Sequence, residues 1–160
     1  MRKWLLIFIS FLLAFMLTLV PMPEWAIWFR PAWIMLVLIY WNVTSPQRVN
    51  LGAACIVGIM LDLLNGTLLG EHAFAMIVTS YFVLKMQARI KMFPLLQQTF
   101  CVWLMVFLYQ LLIYCIQGFI GELPKTKWYW ASSFVSMLLW PGVASILKSF
   151  KRRSRLRMAS

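Results

Sequence analysis

The sequence predicts an all-α polytopic membrane protein, built as a six-helix transmembrane bundle. Three observations carry that expectation. The chain is 63% hydrophobic and 12% charged with a mean hydropathy of +0.83, which is more apolar surface than a soluble domain of 160 residues could bury. Its apolar residues fall into runs separated by short breaks of Pro, Gly and charge. Its Lys and Arg residues collect at the ends of those runs. A net charge of +11 would suggest nucleic acid in a soluble protein, but here no basic stretch belongs to a folded soluble module, so no nucleic-acid binding is expected. The length leaves no room for a second folded domain. Residues 1–147 read as one transmembrane domain and 148–160 as a basic cytoplasmic tail.

The first span is expected at 4–20, after the basic start MRK. No small-x-small cleavage site follows, so it reads as an uncleaved span rather than a signal peptide. Ser10, Ala14 and Thr18 form a four-spaced small stripe on it. Pro21 and Pro23 break that helix, and Trp25 and Trp28 suit a membrane interface. Pro31 fits the first turn of the next helix, where its missing N–H costs nothing. The second span, 32–44, covers only roughly 20 Å of a ~30 Å hydrocarbon core. It must borrow its flanks, thin the bilayer or sit inside a bundle. After the turn at Ser45-Pro46 the third span runs over 49–64, and the brief connection 65–70 makes it an antiparallel neighbour of the fourth, 71–84. Lys85, Arg89 and Lys91 read as a basic loop closed by Pro94. The fifth span covers 95–116 and 118–127 is a polar loop. The sixth covers 128–147, with a kink expected at Trp140-Pro141-Gly142.

Six spans place both termini on one side of the membrane. With that side inside, twelve of the fifteen Lys and Arg are inside and only Arg30, Lys125 and Lys127 outside. The bias predicts both termini in the cytoplasm. Glu24, Glu71 and Glu122 then lie in outer loops or at an outer helix end, which leaves Asp62 as the carboxylate within a span.

Asp62 sits in ACIVGIMLDLLNGTLLG (54–70), the stretch around which the chain is organised. Small residues recur every four positions at Ala54, Gly58, Gly66 and Gly70, with Asp62 in the middle slot. Residues four apart share a helix face, and small-xxx-small faces let helices approach closely in lipid. An intramembrane carboxylate is costly unless it has a role. Asp62 could be an ion or proton site, a ligand contact or a buried partner for another polar group. Alternatively the helix ends just after it, at the Asn65-Gly66 turn signal, and it reaches outer water. A relay needs several carboxylates and the spans hold one, so pairing is favoured over transport, with Arg30 the preferred partner. The stretch reads as the packing hinge of a helical hairpin.

Other features carry less chemistry. His72, the single histidine, has no metal-ligating or catalytic companions nearby in sequence and reads as an interfacial or packed residue. Gln98, Gln110, Ser132, Ser133 and Ser136 suit hydrogen bonds between helices. Cys55, Cys101 and Cys115 form no CxxC and read as buried thiols. There is no Walker loop, HExxH or GxSxG, so neither catalysis, metal nor cofactor is expected. The tail residues Lys148, Lys151, Arg152, Arg153, Arg155 and Arg157 form a positive-inside anchor, or contact anionic lipid or an acidic partner.

Specific strings go further than composition. FRPAWIMLVLIYW (29–41), SPQRVNLG (45–52), GIMLDLLNGTLLG (58–70) and LWP (139–141), in this order, resemble the rod shape-determining MreD family of Gram-negative bacteria over nearly the whole chain. The resemblance implies a six-helix fold like the substrate-capture subunits of ECF-type vitamin transporters. It implies a non-catalytic inner-membrane scaffold of the cell-wall elongation machinery. Implied partners are MreC directly, then the filament protein MreB, the glycosyltransferase RodA and a penicillin-binding transpeptidase. The family strings fall on Arg30, Pro31, Gly58, Asp62, Gly66 and Gly70 as structural or partner-binding positions. A different class stays open, a substrate-binding transporter subunit with a cavity near Asp62. A membrane enzyme using His72 or Asp62 comes third.

Overall fold

A computed structural model describes residues 2–156, and no strand occurs among them. The elements are α1 (Arg2–Leu19), a single turn α2 (Glu24–Ile27), α3 (Trp33–Thr44), α4 (Leu51–Asn65), α5 (Glu71–Met92), α6 (Leu95–Ile120), a 3-10 turn (Lys127–Trp130) and α7 (Ala131–Leu156). Three helix C-terminal ends lie beyond the sequence expectation. Helix α5 runs past residue 84, so Lys85, Arg89 and Lys91 ride its final turns instead of a loop. Lys and Arg are good helix formers, and cations at a helix C-terminus suit the dipole. The stop comes at Phe93, held extended (φ −73°, ψ 144°) by the following Pro94. Helix α6 passes through Gly118 and ends at Gly121, whose φ of 88° takes the left-handed turn. Helix α7 continues through Pro141 to Leu156, so the basic segment from Lys148 is helical as far as Leu156. Arg157 and the side chain of Arg155 lie outside the described residues. Pro141 lacks an N–H, so the Met137 carbonyl loses its helical donor.

Helix α3 is apolar on all sides, and every residue from Ile34 to Val43 is buried. It is enclosed by α1, α5, α6 and α7, so a 12-residue helix need not match lipid thickness by itself. Pro31 lies before α3 rather than in its first turn, because Ala32 takes the N-cap position. That cap is supplied from a distance. The Ala32 N–H donates to Ser136 Oγ of α7 at 3.0 Å. Beside it Ser132 Oγ donates to the Arg30 carbonyl. Helix α4 starts two residues later than expected because the Asn50 side chain accepts from the Gly52 and Ala53 N–H groups. It packs on α5 and turns Ile56, Met60 and Leu63 outward.

Polar side chains are buried in the interior, and large apolar side chains face outward. Trp4, Leu5, Phe8, Leu96, Phe119 and Leu138 are exposed, with Phe119 at 94%. Inside, Trp41 Nε1 of α3 donates to Ser10 Oγ of α1 (2.8 Å), and Asn42 Nδ2 of α3 donates to Ser80 Oγ of α5 (2.9 Å). Apolar faces outward over interhelical hydrogen bonds describe a protein whose solvent is lipid. Leu95–Ile120 and Lys127–Arg153 are long and apolar enough to cross a bilayer, and Lys3–Leu19, Trp33–Thr44 and Leu51–Asn65 are shorter apolar helices.

Candidate functional site

The α4–α5 hairpin brings most of the sequence-predicted site residues together. Ala54, Gly58 and Asp62 share the face of α4 that meets α5, and all three are buried. Gly58 is a point of backbone contact. A Cβ built there would lie 2.7 Å from the Ala73 nitrogen and 3.0 Å from the Ala73 Cβ, with the Ala73 Cα closer still. Gly66 and Gly70 leave that stripe. Both are turn residues with positive φ, 64° and 103°. Gly66 caps α4 four residues beyond Asp62 in the left-handed conformation, with its own N–H and that of Thr67 both bonded to the Asp62 carbonyl. Gly70 lets the chain turn directly into α5.

The Asp62 carboxylate has no accessible surface. It receives the Gly70 N–H on Oδ2 at 2.8 Å. Its Oδ1 receives the His72 N–H (3.0 Å), His72 Nδ1 (2.7 Å) and Thr67 Oγ1 (3.2 Å). Asp62 therefore reaches neither outer water nor Arg30. Its partners are the loop that follows it and the first turn of α5. His72 is the hydrogen-bond partner that sequence spacing hid, because the nine intervening residues fold back through the turn. Arg30 instead directs its guanidinium to the Val20 carbonyl at 3.5 Å, on the connection between α1 and α3.

Helix α6 joins the same cluster. Gln117 Nε2 donates to the buried Glu71 carboxylate at 2.8 Å, and the Tyr109 ring lies 6.3 Å from that of His72. Tyr129, next to the 3-10 turn's Trp130, donates its hydroxyl to the Gln110 carbonyl at 3.3 Å. Of the polar residues expected between helices, Ser132 and Ser136 bridge α7 to the start of α3, while Ser133 bonds back to Trp130 of its own segment. Thr67 and Gln117 escaped sequence reasoning, and His72, read as an interfacial or packed residue, was not connected with Asp62. The signal that could have found them is positional: each falls within a few residues of the turn at the Asp62 end of a predicted span.

Chemically, an Asp–His pair can orient a general base. Here both carboxylate oxygens are occupied by the hairpin itself, and no hydroxyl or thiol nucleophile is hydrogen-bonded to the outer ring nitrogen among the described residues. The arrangement locks geometry. Four hydrogen bonds to one buried carboxylate hold two helices and a loop in one register, each such charged bond contributing ~1.5–3 kcal/mol.

At the opposite end lie most of the basic residues. Lys91 ends α5, and Lys148, Lys151, Arg152 and Arg153 lie on the last turns of α7. Arg48, on the turn before α4, stacks over Trp4 at the start of α1, 5.7 Å from the ring centroid.

Comparison with known proteins agrees with the whole length of this chain. The family model described as rod shape-determining protein MreD matches residues 1–150. A curated rod shape-determining protein MreD of Haemophilus influenzae is 32% identical over 157 residues, covering 96% of this chain and 95% of the relative. No solved structure matches the chain.

Proposed function

The chain belongs to the MreD family of rod shape-determining proteins, and from that premise we propose that it is a non-catalytic scaffold of lateral cell-wall elongation. It would cross the bacterial inner membrane six times with both termini in the cytoplasm. The observation that carries the scaffold reading is the complete burial and fourfold hydrogen bonding of Asp62. Asp62 is used to hold a helical hairpin in shape. The same burial weighs against a transported ligand at Asp62, the reading from the other class, since that carboxylate touches no open space. The charge asymmetry supports the orientation: the basic helix ends would face the cytoplasm and the Asp62 hairpin the periplasm.

On this reading the outer surface, including the segment at Arg30 and residues 118–127, faces MreC. The inner end faces lipid and the filament system of MreB, with RodA and a penicillin-binding transpeptidase in the same assembly. A bundle like that of ECF-type capture subunits would supply rigidity rather than a ligand pocket. Depletion of the protein from rod-shaped cells, with re-expression of variants and affinity capture of MreC, tests the proposal. Rounding on depletion and MreC capture are expected. Cells that stay rod-shaped, with no elongation protein captured, would reject it.

A further inference from the structure

At the end opposite the hairpin a concavity of about 450 Å³ is lined by Tyr40 and Thr44 of α3, Lys91 of α5, and Lys148, Lys151 and Arg152 of α7. Four of its six lining side chains are cationic. Its lining includes no Asp or Glu. The chain has four, and Glu24 on α2, Asp62 and Glu71 in the hairpin, and Glu122 after α6 all lie at the other end. Lys91, Lys148 and Arg152, drawn from two helices into one recess, repel one another, and an anion held there relieves that repulsion.

A second recess shares a wall with it. An apolar groove of about 160 Å³ runs between α1, α3 and α7 past Leu13, Val37, Ile146 and Phe150, and it ends at Lys151, which also lines the basic concavity. A soluble phosphate has no use for the groove, and a zwitterionic or neutral lipid gains little from the cations. One class of molecule matches both. We propose that this is a binding site for a single anionic glycerophospholipid. Its headgroup phosphate sits among Lys91, Lys148 and Arg152, and one acyl chain lies along α1, α3 and α7. Basic pockets between helix ends are suited to anionic headgroups, and the groove adds the area that makes the contact a site rather than a diffuse attraction. The inference rests on the membrane embedding proposed above but not on the role in wall elongation.

The test uses the full-length chain purified in neutral detergent. It is titrated with phosphatidylglycerol or phosphatidylcholine of identical acyl chains, and bound lipid is read by native mass spectrometry. Phosphatidylglycerol should bind at least about tenfold more tightly. The triple variant Lys91→Gln, Lys148→Gln, Arg152→Gln should lose that preference. A control triple, Arg48→Gln, Lys85→Gln, Arg89→Gln, removes equal charge outside the concavity and should keep it. Leu13→Trp, which fills the groove without altering charge, should weaken phosphatidylglycerol binding. Lys148→Gln alone should lower the preference partway, a second reading if the triple variant is not monodisperse. Equal losses in the two triples would mean diffuse electrostatics and overturn the site. So would displacement of the lipid by soluble glycerol phosphate at matched concentration, which would identify a free phosphate ester as the ligand. The assay reads the purified chain alone, so its outcome is independent of whether depletion rounds cells.

Discussion

Gly58→Ala is the sharpest perturbation of the hairpin, because two effects of opposite sign meet there. Alanine is the better helix former by ~1 kcal/mol, so on an isolated helix the change stabilises. In the folded chain the added methyl lies 2.7 Å from the Ala73 nitrogen and 3.0 Å from its Cβ, where carbon contacts settle at ~3.5–4.0 Å. The nearest atoms are backbone, so no side chain can rotate away. Helix α4 must withdraw from α5 by about 1 Å. That displacement stretches the Asp62 bonds to the Gly70 and His72 N–H groups from 2.8 and 3.0 Å toward lengths at which they cease to be hydrogen bonds. Overpacking costs ~1–3 kcal/mol and each weakened charged bond part of ~1.5–3 kcal/mol. The net expectation is a loss of about 3 kcal/mol despite the propensity gain. The assay is thermal or SDS unfolding of the purified chain in detergent. A second variant, Gly58→Ala with Ala73→Gly, removes the Cβ–Cβ contact but leaves the backbone clash, so it should recover only a minor part. Gly58→Leu should prevent assembly of the hairpin. Unchanged stability of Gly58→Ala, or full rescue by Ala73→Gly, would refute the backbone-contact argument.

Other expectations follow from neighbouring geometry. Asp62→Leu should cost more than Asp62→Glu, since leucine leaves four donors unpaired whereas glutamate keeps a carboxylate but overfills a fully buried site; the same unfolding assay ranks them. Exchanging Arg30 and Asp62 should rescue nothing, because Arg30 bonds the Val20 carbonyl; trypsin resistance of the double variant should equal that of its worse single. Gly66→Ala and Gly70→Ala should each cost ~1–2 kcal/mol through positive φ alone, with no overpacking, since nothing lies within 4 Å of a Cβ at either position; unfolding midpoints should fall modestly. Ser136→Ala should cost ~1 kcal/mol by leaving the Ala32 N–H without its acceptor, and amide exchange at the start of α3 should quicken first.

Much of the architecture was legible in the chain because lipid permits few solutions. Helix is the local answer to backbone hydrogen bonding without water, and Pro, Gly and charge mark where each helix stops. The shortness of α3 was legible and left three solutions, borrowed flanks, a thinned bilayer or enclosure in a bundle; packing against α1, α5, α6 and α7 selects enclosure. Ala54, Gly58 and Asp62 were legible as one face for the same periodic reason. Element ends were less so. Lys85 to Lys91 and Lys148 to Leu156 read as loop and tail because charge looks like solvent, yet a helix leaving the membrane keeps its hydrogen bonds and carries those charges outward.

The stretch from Ala54 to Gly70 shows the division most clearly. By itself the sequence determined that a carboxylate sits beside small residues near a turn, because four-residue spacing and Asn65-Gly66 are local signals. The tertiary structure alone decided what the carboxylate meets. Gly66 and Gly70 bend the chain back, Gly58 lets α5 approach to backbone contact, and together they deliver His72, Thr67 and the Gly70 N–H to Asp62. The likewise distant pairings of Ser136 with Ala32 and of Gln117 with Glu71 depend on which helices become neighbours. Spacing along one helix reports a face. The partner of that face is chosen by packing, which sums weak contacts over the whole chain and has no local signature.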